Sequence, residues 1–159
     1  MPQRYYSNGK LLLTAEYAVL DGATALAVPT KFGQDLCIML SKTSSLLYWK
    51  SFDRDGTLWF SASLHRETLK LEETSDTTIG KKLSEILLAA RELNPQFLKD
   101  GQGLQIETRL TFDRHWGLGT SSTLINNIAL WANINPYQLL ESTFGGSGYR
   151  LRLGRVNSY

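Results

Sequence analysis

Alternating hydrophobic and polar positions are clearest in residues 104–112. One face of this segment carries apolar residues and a threonine, while the other carries polar or charged residues, so the period of two predicts a strand with one buried face. The predicted buried set is Leu104, Ile106, Thr108, Leu110 and Phe112. Runs rich in aliphatic and aromatic residues predict further strands at 10–14, 22–29, 34–40, 45–52 and 57–63, with an Asp55-Gly56 hairpin turn joining the last two.

Three later segments change to a helical period. Residues 77–93 place apolar side chains at spacings of three and four, and Thr77 or Thr78 is the predicted N-cap. Residues 121–133 and 136–143 predict two more helices, the last with Pro136 in its first turn. Strands that come first and helices that come later favour an α+β fold.

Composition narrows the class of protein. A length of 159 residues suits one domain, and 42% hydrophobic with 20% charged residues is typical of a soluble globular protein. The net charge of +2 comes from interspersed charges, so we expect no nucleic-acid partner. Cys37 is the single cysteine, and the sequence has neither a signal-peptide pattern nor the ~20 apolar residues of a membrane helix. We therefore expect a cytoplasmic protein with no membrane partner.

The segment between the predicted strand and the following helix is rich in glycine and hydroxyl residues. It runs Gly117-Leu118-Gly119-Thr120-Ser121-Ser122. Glycines let the backbone turn sharply, and the first amides of the next helix point outward without intrahelical acceptors, which suits a phosphate chain. No lysine follows the glycines as in a Walker loop, and Ser122 stands where a dinucleotide loop needs its third glycine. By itself, the segment is also compatible with an ordinary helix start.

A second motif makes a phosphate site the better interpretation. Residues 7–22, Ser-Asn-Gly-Lys-Leu-Leu-Leu-Thr-Ala-Glu-Tyr-Ala-Val-Leu-Asp-Gly, closely resemble the N-terminal motif of the GHMP kinases, named for galactokinase, homoserine kinase, mevalonate kinase and phosphomevalonate kinase. The glycine loop resembles that family's second motif, and Gly145-Gly146-Ser147-Gly148-Tyr149 resembles its substrate-side loop. The resemblance covers residues 4–149 and is nearest to the mevalonate and phosphomevalonate kinases.

The resemblance implies a role for each matching residue. Lys10 would support charge in phosphoryl transfer, Glu16 would lie on the substrate side, and residues 117–122 would wrap the phosphates of ATP. Ser121 would ligate Mg²⁺ and Glu141 would complete the metal site. The implied substrate-side loop contains Gly146, Ser147 and Gly148. Outside the motif, Lys10 and Glu16 would be read as solvated surface charges, and for Glu141 a solvent-facing helix carboxylate remains equally compatible.

The sequence departs from the family pattern near its end. The family places an aspartate after the tyrosine that Tyr149 matches, but this chain has Arg150, and Asp113 replaces a usual proline before the loop. Arg150 and Leu151 can be encoded by CGA and TTG. The same bases read one position later give GAT-TGC, an Asp-Cys pair, which would restore an aspartate after Tyr149. We therefore interpret residues 1–149 as an ATP-binding N-terminal domain, and 150–159 as an out-of-frame basic tail. Since family members continue into a second domain, we expect this chain to be truncated, impaired in activity and prone to self-association.

These observations favour an ATP- and Mg²⁺-dependent kinase that phosphorylates a hydroxyl or phosphate of a small metabolite, with a mevalonate-like acceptor preferred. The alternative is a non-catalytic nucleotide- or RNA-binding regulatory domain on the same scaffold. That alternative requires a basic face outside the tail, and the sequence shows none.

Overall fold

A six-stranded mixed sheet forms one layer of the protein. The computed structural model describes residues 1–13, 26–42 and 45–144. Within them lie β1 (Gln3–Leu12), β2 (Ala27–Ser41), β3 (Leu46–Phe52), β4 (Leu58–His65), β5 (Leu71–Thr74) and β6 (Gly103–Leu110). The strand order is β1-β2-β6-β3-β4-β5, and each neighbouring pair is antiparallel except β3 with β6. The late strand β6 is therefore inserted between β2 and β3, at the centre of the sheet.

Three helices cover one face of this sheet: α1 (Thr77–Leu93), α2 (Thr120–Ala132) and α3 (Pro136–Phe144). The buried positions of the central strands alternate, and their side chains meet in register. Trp49 of β3, for example, lies beside Ile106 of β6, and both are almost fully buried. Buried residues of α1 and α2, including Leu87 and Ile128, complete the same core. The result is a two-layer α+β arrangement, as predicted.

The predicted buried face of residues 104–112 is confirmed, although the strand itself ends at Leu110. Leu104, Ile106, Thr108, Leu110 and Phe112 are all buried, while Gln105 and Arg109 are exposed. The predicted hairpin between β3 and β4 is also present. Gly56 has a φ of +86°, and its N–H donates to the carbonyl of Asp53 at 2.9 Å. Local patterns were sufficient in both cases because each depends only on neighbouring residues.

Several predicted boundaries are wrong. The cap of α1 is Asp76 rather than Thr77 or Thr78, because the Asp76 carboxylate accepts the N–H of Ile79 at 3.0 Å. Strand β1 begins at Gln3, seven residues before the predicted start, because its polar residues pair with β2 along the sheet edge. Strand β5 was not predicted at all, since it has only four residues. The predicted strand at 22–29 falls partly outside the described residues.

In the portion of the chain that the structure describes, none of the helices is both long and apolar enough to cross a membrane.

Candidate phosphate-binding site

The glycine loop adopts the backbone conformation that its glycines allow. It follows a short 3₁₀ turn, Arg114–Trp116, in which the Asp113 carboxylate accepts the N–H of His115 at 2.9 Å. Gly117 and Gly119 both have left-handed backbones, with φ of +70° and +80°. A β-carbon on Gly117 would meet nothing within 4 Å, so this position requires glycine for its backbone angle rather than for space.

The first turn of α2 leaves donors available for an anion. Gly119 is the N-cap and supplies no side-chain cap, and the first helical bond runs from the N–H of Thr123 to the carbonyl of Gly119 at 3.0 Å. The amides of residues 120–122 therefore have no intrahelical acceptor. No acidic residue lies in this first turn to occupy them. Together with the helix dipole, these amides suit a phosphate group.

The first motif lies directly against this loop. The N–H of Lys10 donates to the carbonyl of Leu118 at 3.1 Å. A β-carbon on Gly9 would lie only 2.9 Å from the same carbonyl oxygen, so glycine is needed here for close approach. The Cε of Lys10 lies 3.8 Å from the position that a β-carbon on Gly119 would occupy. The structure thus brings together two motifs that are far apart in the sequence.

The Lys10 side chain is a half-buried positive charge beside the loop. Burial lowers the pKa of Lys10 below its ordinary value, because the charged form loses hydration. Within the described residues its side chain makes no hydrogen bond or ion pair. An anion in the loop would compensate this loss of hydration, as expected of a phosphate-binding lysine.

A cavity of about 250 Å³ opens beside Lys10 and the start of α2. Its polar lining includes Ser7, Asn8, Lys10, Ser122 and Asn126. Tyr137 and Leu140 of α3 and Ile125 of α2 also line it. The cavity therefore has space for a small ligand next to the proposed phosphate position, and its described lining contains no acidic residue that would repel an anion.

The two predicted metal ligands lie on separate helices. Ser121 is exposed in the first turn of α2, and Glu141 is exposed on α3. Neither side chain bonds to any residue that the structure describes. Across the described ranges, no three His, Cys, Asp or Glu side chains form a group that could hold a metal by themselves. The metal assignment of Ser121 and Glu141 therefore stays a prediction.

The remaining predicted site residues cannot be placed. Glu16, the substrate-side residues Gly146, Ser147 and Gly148, and the tail from Arg150 onward all lie outside the described residues. Their roles stay predictions as well.

Four polar side chains that attach α2 to the sheet were not predicted from the sequence. Ser7, Gln34, Thr123 and Asn127 are buried and bonded to one another. A signal for them was present, because the adjacent pair Asn126-Asn127 interrupts an apolar helical segment. The helical period of α2 predicted that one side of the helix faces the core, but it did not indicate which polar partners the asparagines would meet there.

His115 and Trp116, which precede the loop, are both exposed. The Trp116 ring packs edge-on against Phe32, with centroids 5.8 Å apart, and the Arg54 guanidinium lies 5.4 Å from its centroid. These contacts attach the 3₁₀ turn to β2 and to the turn between β3 and β4, and they leave part of the indole accessible.

The mixed sheet covered on one face by three helices is a fold that this chain shares with solved structures of GHMP kinases, among them a mevalonate kinase and a galactokinase. Comparisons with protein-family models and with curated proteins give no match. The assignment of the fold therefore rests on solved structures.

The similar solved structures include two kinases and a decarboxylase. Mevalonate kinase from Methanococcus jannaschii superposes with a TM-score of 0.61 at 16% identity, covering 91% of this chain and 48% of that protein. Galactokinase from Lactococcus lactis, complexed with galactose, has a TM-score of 0.61 at 12% identity, with 93% and 39% covered. Mevalonate diphosphate decarboxylase from Legionella pneumophila has a TM-score of 0.54 at 12% identity, with 93% and 48% covered. The chain spans about half the length of these structures or less.

Proposed function

We propose that this chain is the phosphate-binding half of an ATP- and Mg²⁺-dependent kinase for a small metabolite. The observation that carries the proposal is the partly buried ammonium of Lys10 beside the helix start at Gly119, with no partner among the described residues. An exposed surface lysine would show neither the burial nor the approach to a left-handed glycine loop. Because the decarboxylase shares the fold, the site residues rather than the fold support the kinase assignment.

The described residues suit the demands of phosphoryl transfer. Such transfer depends mainly on positioning the phosphates and neutralising their charge. The amides of residues 120–122 would orient the phosphate oxygens, and the Lys10 ammonium would balance their negative charge. Bound Mg²⁺ would supply further positive charge at the phosphates, and Ser121 and Glu141 would hold it. Both have exposed oxygens that are free of partners in the described part of the chain.

The acceptor, the cellular compartment and the tail form the second part of the proposal. We propose a small-molecule acceptor of the mevalonate type, on the similarity of the first motif and of one solved neighbour. We also propose that the kinase functions in the cytoplasm, and that the 159-residue chain binds nucleotide more readily than it turns it over. Sequencing the gene beyond the codon of Tyr149 tests the hypothesis that residues 150–159 are read out of frame. An aspartate codon and a kinase-like frame are expected downstream, and a stop after Tyr159 without such a frame would contradict the hypothesis.

Calorimetric titration of the chain with MgATP tests the proposed function. Lys10→Met should weaken binding by roughly 10- to 100-fold, the usual value of a hydrogen bond to a charged group. Lys81→Met, which removes an exposed lysine of α1, is the matched control and should bind as the wild type does. Ser121→Ala should reduce the difference between affinities measured with Mg²⁺ and with a chelator. If the folded wild-type chain binds no MgATP at millimolar concentration, the proposal is wrong.

A further inference from the structure

Buried polar side chains, rather than apolar ones alone, attach α2 to strands β1 and β2. The Ser7 hydroxyl donates to Oδ1 of Asn127 at 2.7 Å, and Nδ2 of Asn127 donates to the backbone carbonyl of Gln34 at 2.8 Å. The Thr123 hydroxyl donates to Oε1 of Gln34 at 2.8 Å. None of these four residues is more than 4% exposed. We call this set, Ser7, Gln34, Thr123 and Asn127, the α2 network.

Apolar packing would have filled the same space at lower cost, because a buried polar group destabilises the fold unless it is bonded. Apolar contacts, however, are non-directional and allow a helix to slide or rotate slightly on a sheet. Hydrogen bonds of this length fix both the rotation and the axial position of the helix. The α2 network therefore defines one placement of α2 on β1.

The α2 network joins the two elements that carry the phosphate site. Ser7 lies on β1, three residues before Lys10, and Thr123 lies in the first turn of α2. The amide of Asn126 also donates to the Ser7 hydroxyl at 2.7 Å, from the wall of the cavity. A shift of α2 against β1 would thus change the distance between the Lys10 ammonium and the free amides of the loop.

We propose that Ser7 and Asn127 are positioning residues for the phosphate site. Their bond holds β1 and α2 in the register at which Lys10 faces the loop. The Ser7 hydroxyl also borders the cavity, but it is engaged by Asn127 and Asn126. The inference rests on the proposed function only in naming phosphate as the ligand. The register itself has a ligand-independent reporter, the bond from the Lys10 N–H to the Leu118 carbonyl.

The test compares three variants of the chain, using inorganic tripolyphosphate as the probe. Ser7→Ala and Asn127→Leu each remove the bond between Ser7 and Asn127. Ser7→Ala also removes the bond from Asn126, and Asn127→Leu also removes the bond to the Gln34 carbonyl. Ile86→Val shortens a buried side chain of α1, which lies outside both the network and the cavity lining, and controls for a general loss of stability. Calorimetry measures affinity where all variants are folded. Amide hydrogen exchange measures protection of the Lys10 N–H relative to amides of the central strand β6.

We expect Ser7→Ala and Asn127→Leu to weaken tripolyphosphate binding on the order of tenfold, the equivalent of one net hydrogen bond. They should also lower the protection of the Lys10 amide more than that of the β6 amides. Ile86→Val should lower protection evenly and leave affinity unchanged. If Asn127→Leu does not fold, Ser7→Ala decides alone, because it leaves the Asn127 bond to Gln34 intact.

Two other outcomes separate this inference from the proposed function. If the wild type binds no tripolyphosphate while Ser7→Ala selectively exposes the Lys10 amide, the proposed function fails and the positioning role stands. If Ser7→Ala behaves as Ile86→Val does in both measurements, the positioning role is overturned whatever the wild type binds.

Discussion

Replacing Gly9 by alanine should damage the site through a contact that is visible only in the folded chain. The added β-carbon would lie 2.9 Å from the carbonyl oxygen of Leu118 and 3.3 Å from the hydroxyl of Thr30. Relieving the first contact to ordinary van der Waals distance requires a displacement of about 0.5 Å. That displacement would lengthen the 3.1 Å bond from the Lys10 N–H to about 3.6 Å, beyond hydrogen-bonding range.

The expected cost combines overpacking and a lost hydrogen bond. Overpacking typically costs about 1–3 kcal/mol and a net hydrogen bond about 0.5–1.5 kcal/mol, so we expect the free energy of unfolding to fall by about 2–4 kcal/mol. Urea unfolding followed by tryptophan fluorescence measures this change, and calorimetric titration with MgATP measures the site. Affinity should fall together with stability, because the strand that moves carries Lys10.

Gly101→Ala is the matched control. A β-carbon there would meet nothing within 4 Å, and the φ of +60° adds only backbone strain of about 1–2 kcal/mol. Its stability should fall while its affinity for MgATP stays that of the wild type. The reasoning is refuted if Gly9→Ala retains wild-type affinity, since β1 and the loop would then not be tightly packed.

Two further predictions concern single side chains. Asp76→Ala should lower the free energy of unfolding by about 1 kcal/mol, because the N–H of Ile79 loses its acceptor. Asp76→Asn should keep most of the wild-type free energy of unfolding. Urea unfolding measures both values. Lys10 has a pKa that burial depresses below its ordinary 10.5, so between its folded pKa and 10.5 the unfolded chain binds more protons. Stability should therefore rise with pH through that window, and unfolding curves of Lys10→Met should lack the rise; an identical pH dependence in both proteins would contradict the assignment.

Periodicity and turn chemistry are local, and the sequence by itself determined the features that depend on them. The two-residue period of β6 marked its buried face, and the left-handed angles at Gly117 and Gly119 follow from glycines placed before a helix. Most elements of the α+β fold could therefore be predicted, but not the short strand β5, nor the continuity of β2 across residues 30–33. A period shows which face of an element is buried, but it does not show which other element covers that face.

Only the tertiary structure decided the contacts between distant segments. The bond between Ser7 and Asn127 joins residues 120 positions apart, and the Lys10 N–H reaches Leu118 in the loop across a similar separation. Such contacts depend on strand register and helix placement, which many side chains determine together through packing. The sequence thus predicted a glycine loop suited to phosphate, whereas the fold placed the half-buried Lys10 beside it and buried the polar network that joins the two elements.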